Sequence, residues 1–404
     1  MKYWRGYLTA GILALITVGL MLIAERFSQL VDMVYPYVTR EVQTILAGWS
    51  STVGFTLWQV LVVAMVLAVV VTLVLAITLK KSIVQWLGWV LAGASVIWLL
   101  HTGIYGLNYY AGPISDDVRL SNSEFTAEDL EKATTYFRDM ANQMAKEMPR
   151  DENGKLIFDD FDTLAAQAGQ GFTTLAYEQS GSIFAGCTIP VKKLGWADMY
   201  TSMGITGVTM GLTGEAAVNP QIPDVTLPFT MCHEMAHRMS IATERDANFA
   251  AFLASMANED IAFRYSAYFM AYRYCYNALL TANNLEASGA AARIASQASP
   301  QLQQDMRYYS QFFNSNRDEQ ATKVADTVND TYLKTSGDEA GIKSYGDVCD
   351  LLVNWHYKTV VQPTLMEDVK IFDPYDESQV DLSGITNAKE QETQPEDENP
   401  GGVG

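Results

Sequence analysis

The sequence predicts a mainly α-helical protein: three N-terminal transmembrane helices, then a mostly helical domain outside the membrane with one small strand or hairpin region. Three observations carry this prediction. Three long stretches in the first 110 residues are almost free of charge. Nearly all of the acidic residues follow them. Beyond Thr126 helical segments succeed one another, and a run rich in glycine and β-branched residues occurs once, before a helix carrying two histidines.

The apolar stretches span residues 7–24, 53–79 and 83–106. At about 1.5 Å rise per residue, each can cross a hydrocarbon core of roughly 30 Å. The first lacks a small-residue cleavage site and runs into Glu25-Arg26, so it reads as an uncleaved anchor. Lys2 and Arg5 precede it, and Lys80-Lys81 fill the short loop between the other two. The positive-inside rule places these residues in the cytoplasm. The loop of residues 25–52 then lies outside, and so does everything after about residue 107. The expectation is a multi-pass protein of the cell membrane: an anchor over 1–110, partnered by the lipid bilayer, and an extracytoplasmic domain.

Charge divides the chain in the same way. Residues 1–110 hold 6 of the 27 Lys and Arg and 3 of the 46 Asp and Glu, leaving 21 basic and 43 acidic residues beyond, a net of about −22. So acidic a domain is repelled by nucleic acid and by anionic headgroups, and no nucleic-acid partner is expected. Cys187, Cys232, Cys275 and Cys349 form no CxxC pair. Two disulfides are allowed outside the membrane, but wide spacing and apolar neighbours favour buried free thiols.

The domain is expected over 111–375. A polar connector leads to Thr126-Ala127-Glu128-Asp129, which opens a helix by capping. A second helix is expected over Phe158 to Glu178. Residues 204–219 read as short strands or a hairpin. Pro220, Pro223 and Pro228 mark a turn into a helix over about Leu227 to Ser240, and Thr243 caps the next, from Glu244 to about Ala257. Further helices fill the chain to Val361. Residues 376–404 hold eight acidic residues and one lysine and read as a disordered tail.

The chemistry-bearing motif is His233-Glu234-Met235-Ala236-His237, two of only four histidines in the chain. Positions i and i+4 share a helix face, so both imidazoles can aim at one metal ion. Glu234 stands where it can serve as a general base on water. Zinc, as Zn2+, then needs a third protein ligand and an open position. Glu244 and Asp246 are the candidates for that ligand. Glu244 is preferred because it has the longer reach, and Asn248 lies one turn later on the same face, able to hydrogen-bond a ligand histidine. Asp246 has an alternative role beside the Thr243 cap. For an oxyanion donor, Tyr265, Tyr268, Tyr272 and His356 are candidates. His101, near the end of the third stretch, reads as a polar contact inside the helix bundle. The strand-like run before the motif is either an edge on which a peptide can pair or a plain connecting hairpin.

A resemblance adds to this reading. The chain resembles a bacterial family of membrane-anchored HExxH proteins classed as a domain of unknown function. The blocks that carry it are Gly106-Leu107-Asn108-Tyr109-Tyr110, Thr213-Gly214-Glu215-Ala216-Ala217-Val218-Asn219, Tyr265-Ser266-Ala267-Tyr268, Tyr332-Leu333-Lys334-Thr335 and Ser344 to Leu352, beside the motif itself. That family is similar to glutamate-zincins, among them membrane peptidases with a Glu-x-x-Ala-Asp segment after the HExxH. The resemblance implies a zincin-like domain, makes Glu244 the third ligand, and favours Tyr265 as the oxyanion donor because it lies in a matching block. The chain departs from the pattern at Ser240, where a glycine is usual, at Asp246, where a glutamate is usual, and at Asn248, where those peptidases have aspartate.

The function expected is a membrane-anchored zinc metallopeptidase that hydrolyses peptide or amide bonds outside the membrane, with Glu234 as base and a cell-envelope peptide or protein as substrate. The alternative is a non-catalytic zinc-binding envelope protein. Cleavage within the membrane is excluded, because Pro223, Pro228, Arg238 and Glu244 flank the motif and no apolar stretch of about 20 residues surrounds it.

Overall fold

The computed structural model describes residues 4–120, 124–178, 183–281, 285–338 and 344–362. The tail expected over 376–404 lies outside these. The helices are α1 (Arg5–Arg26), α2 (Ser28–Ser50), α3 (Leu57–Thr78), α4 (Ile83–Ile104), α5 (Ile114–Asp117), α6 (Ala127–Glu147), α7 (Phe161–Gln167), α8 (Gly169–Glu178), α9 (Ala197–Ser202), α10 (Leu227–Arg238), α11 (Glu244–Met256), α12 (Ile261–Thr281), α13 (Leu285–Ser296), α14 (Pro300–Asn316), α15 (Glu319–Ser336) and α16 (Ser344–His356). The strands are β1 (Lys192–Lys193), β2 (Gly207–Met210) and β3 (Glu215–Val218). The protein is mainly α-helical, as its sequence predicts.

Helices α1, α3 and α4 are each 22 residues long and apolar enough to cross a membrane. Helices α1 and α4 pack side by side in the same direction. A methyl group on Gly6 would overlap the backbone of Gly88, so the two starts meet through glycines, the small-residue contact that lets helix backbones approach. At the other end Met21 shares a cavity with Trp98 and His101. Helix α3 runs the opposite way beside α4: the indole of Trp86, early in α4, donates to Thr72, late in α3. The ends of α1 and α4 and the start of α3 therefore lie together, with Lys80 and Lys81 at the far end.

The segment expected to be a loop, residues 25–52, is instead mostly helix α2. It returns along that shared end from α1 to α3. Its amphipathicity is reversed. Thr39, Arg40, Gln43, Ala47 and Ser50 are buried against the domain, while Leu30, Met33, Val34, Val38, Ile45 and Trp49 are exposed.

The domain is layered on α10, α11 and α12. The core holds Phe137, Phe172, Phe249, Phe252, Phe263 and Phe269, all fully buried. Helix α6 begins with a full capping box between Thr126 and Asp129. The single helix expected over Phe158 to Glu178 is broken between α7 and α8. Beyond the break Gly169 packs on Thr188 and Gly171 on the carbonyl of Ala254, approaches that exclude a side chain. All four cysteines are buried free thiols, with the sulfurs of Cys275 and Cys349 3.7 Å apart.

The strands form one three-stranded sheet in the order β1-β3-β2. Strands β2 and β3 are an antiparallel hairpin, with Gly207 opposite Val218 and Met210 opposite Glu215. The two-residue β1 adds to β3 in parallel. Among the described residues β2 pairs on one side only, so it is an edge strand beside α10.

The hairpin is fastened to the apolar helices. The carboxylate of Glu215 accepts from the backbone N–H groups of Leu57 and Trp58 at 2.7 and 2.8 Å. That is the N-terminus of α3, where a negative charge is favoured. Lys192 closes the arrangement with an ion pair to Glu215 at 2.7 Å. At the hairpin turn, Gln43 of α2 donates to the carbonyl of Gly211.

Candidate metal centre

Helix α10 starts at a proline-bearing first turn, and all twelve of its residues are buried. It ends in a Schellman arrangement. The N–H of Ser240 donates to the carbonyl of His237, and that of Ile241 to Ala236. Ser240 takes the left-handed conformation this requires, with φ of 72°. Its hydroxyl is hydrogen-bonded to Thr39 of α2 at 2.9 Å. The reversal brings the carbonyl of Ile241 to within 2.9 Å of Nδ1 of His237. With Nδ1 donating there, Nε2 of His237 keeps its lone pair for a metal.

Thr243 then caps α11, accepting from the N–H of Asp246. The cap makes Glu244 the first helical residue and turns it towards α10. Its Oε2 lies 3.2 Å from Nε2 of His233 and 3.6 Å from Nε2 of His237. The two Nε2 atoms are 3.1 Å apart. Three tetrahedral ligand atoms at zinc distances of about 2.0–2.1 Å stand about 3.3 Å from one another, so the trio fits a single ion. The group is buried, and these atoms could hold a metal ion. Oε2 of Glu244 takes no hydrogen bond from outside the trio. Burial opposes ionisation of Glu244, but the imidazoles of His237 and His233 prevail and hold its pKa far below the usual range. Burial alone would lower the pKa of His237; the Glu244 carboxylate overrides this and raises it to about 9.

Glu234, one residue after His233, projects from α10 towards strand β2. The hydroxyl of Thr209 donates to its Oε2 at 2.8 Å and is 2.9 Å from its backbone carbonyl. A side chain at Gly207 would overlap the Glu234 carboxylate, so a glycine is required there. Burial raises the Glu234 pKa, against the lowering effect of both imidazoles and Thr209. A base with a raised pKa, two helical turns deep and beside an open strand edge, is thus placed next to the three ligand atoms.

The other expected residues are placed as follows. Asp246 turns away from the trio: its Oδ2 accepts from the N–H of Ile114 at 3.2 Å. Asn248 accepts from the hydroxyl of Tyr274 at 3.1 Å, rather than donating to a histidine, and Nδ1 of His233 has no hydrogen-bond partner among the described residues. The expectation for Tyr265 needs correction. Its hydroxyl donates to Asp305, which is itself ion-paired with Arg150, and a phenol engaged in that buried network is not free to serve an oxyanion. Tyr268 pairs with Tyr136, Tyr272 packs on Tyr276, and His356 packs on Tyr136. His101 packs between Tyr105 and Tyr332.

Three phenols near Glu244 come from elsewhere: Tyr105 and Tyr109, buried directly after α4, and Tyr332 on α15, which is 37% exposed and meets Tyr109 edge to face. Burial raises the pKa of Tyr105, and the nearby Tyr332, Glu244 and Glu234 add to the rise. Tyr105 therefore stays protonated, a donor. The blocks Gly106 to Tyr110 and Tyr332 to Thr335 were the traces of this cluster in the sequence.

The profile of DUF3810, described as a protein of unknown function, matches residues 31–353. The chain belongs to the DUF3810 family. The match starts inside α2 and ends in α16, so in this chain the DUF3810 region holds α3, α4, the sheet and the whole metal centre. No curated protein and no solved structure matches the chain.

Proposed function

We propose that this DUF3810 protein is a zinc-dependent peptidase of the glutamate-zincin type, anchored in the cell membrane by three spans and hydrolysing peptide or amide bonds on its outer side. The observation that carries the reading is the convergence of His233, His237 and Glu244, with a general base of raised pKa beside them. Two histidines and a carboxylate are the protein donor set of many catalytic zinc sites, in which water or substrate takes the fourth position. Zinc, when bound, would polarise the substrate carbonyl and make water more acidic. Glu234 takes the proton of the attacking water and returns it to the leaving amine. Thr209 orients the carboxylate for that transfer. Tyr105 is the protonated phenol this reading assigns to the developing oxyanion. Strand β2 offers an extended substrate an unpaired edge alongside Glu234.

The orientation rests on charge. Lys80 and Lys81 lie at the end of the bundle away from the domain, which favours the cytoplasmic side for them. Substrates are then peptides or proteins of the cell envelope.

The test is Glu234→Gln. The variant should keep its zinc and lose hydrolysis by about 10²–10⁴, the usual worth of a general base. A peptide library is the substrate and metal content is measured alongside. Tyr105→Phe should lower the rate with metal intact, and Tyr265→Phe should leave it unchanged. Equal cleavage by wild type and Glu234→Gln rules out Glu234 as base. Absence of chelator-sensitive cleavage by wild type turns the reading to a non-catalytic zinc-binding envelope protein.

A further inference from the structure

Helix α2 joins the end of α1 to the start of α3, and those two points lie at the same end of the bundle. It therefore does not cross a membrane that α1 and α3 cross; it runs along one surface. Its outward face carries large apolar side chains, with Leu30 and Ile45 60%, Met33 69% and Trp49 78% exposed, and Glu41 interrupting it. A helix placed between two spans with such a face belongs in the interfacial layer of the bilayer, where apolar side chains are buried and a carboxylate stays at headgroup level.

The opposite face of the same helix holds segments that flank the candidate metal site. Thr39 is bonded to Ser240, the third residue after His237. Gln43 is bonded to Gly211, and Gly211 packs against Tyr105, the first residue after α4. Thr209, which holds Glu234, is two strand residues from Gly211, about 7 Å at strand rise. The reacting groups thus stand within roughly 20 Å of the lipid-facing side of α2, one helix diameter of about 10–12 Å plus that strand length.

We propose that the substrates are polypeptides anchored in the same membrane, cut within about eight residues of the point where they leave the bilayer, a reach set by roughly 3.3 Å per extended residue. This rests on the peptidase reading above and narrows its substrate class. A chain emerging from lipid reaches Glu234 directly. A folded protein in free solution has to bring a cleavable segment down to the bilayer surface.

Two measurements test it on the full-length protein in proteoliposomes with zinc. The first places an environment-sensitive fluorophore at Ile45→Cys, with the native cysteines replaced by serine or alanine. A blue shift quenched by brominated lipid is expected, and a water-like spectrum overturns the placement of α2. The second presents a randomised 30-residue segment joined to an unrelated transmembrane helix, and maps the cuts that Glu234→Gln does not make. Positions within eight residues of the bilayer should be cut about tenfold more often than distal ones, the advantage of a held segment over a searching one. Cuts spread evenly, or confined to the distal half, overturn the substrate class and leave the peptidase reading standing. No cuts at all overturn both.

Discussion

Glu244 governs the charge of the whole metal centre. In the metal-free protein its carboxylate keeps His237 protonated up to about pH 9. A metal must bind the neutral imidazole, so binding below pH 9 releases that proton. The sign follows: affinity for zinc should rise about tenfold per pH unit between roughly pH 6.5 and 8.5, and level off above 9. Competition against a chromophoric chelator measures it, and a flat profile would refute the coupling. Glu244→Gln removes the cause, so the slope should shrink along with the affinity. These residues were legible in the sequence because they are local. Two histidines at helical spacing and a carboxylate just after the next cap fix their own geometry. Thr209, Tyr105 and Thr39 were not, since each arrives from a separate element through tertiary packing. The choice of Tyr265 failed for the same reason: nothing near it in sequence reveals Asp305 across the fold.

At the scale of elements, apolar stretches and caps were read well and α2 was missed. Its buried face is polar and its exposed face apolar, the reverse of the pattern that marks a helix of a water-soluble domain. The hairpin was visible from its glycines and β-branched residues, but its attachment was not. Glu215 joins it to α3 by two backbone N–H groups and Lys192, and the ion pair is buried, its side chains 0% and 12% exposed. Removing one partner of such a pair strands the other, at a cost of about 3–5 kcal/mol. Glu215→Ala should therefore lower the melting temperature of the detergent-solubilised protein sharply. Adding Lys192→Met should recover part of the loss. A melting curve for Glu215→Ala superimposable on that of wild type would remove the hairpin anchor from the account.

For the whole molecule, the parallel pairing of α1 with α4 and the antiparallel pairing of α3 fix which ends share a side. The charges of Lys80 and Lys81 then choose the side. A probe cysteine at Glu152, exposed on the turn after α6, should react in intact cells with a membrane-impermeant reagent, and one at Lys81 only after the membrane is opened. The reverse pattern would invert the protein. The DUF3810 match begins at residue 31, inside α2, and runs past residue 110 into α16.

The bond between Thr39 and Ser240 makes the point tangible for anyone dissecting the gene. A recombinant chain begun at residue 111 would look like a tidy soluble enzyme. It would lack Thr39, Arg40 and Gln43, and so leave the Ser240 hydroxyl and the carbonyls of Ile183 and Gly211 without the groups that hold them. Among the described residues, those before and those after residue 110 are better regarded as two fragments of one fold, and expressing the two parts together from separate messages is the natural way to make them.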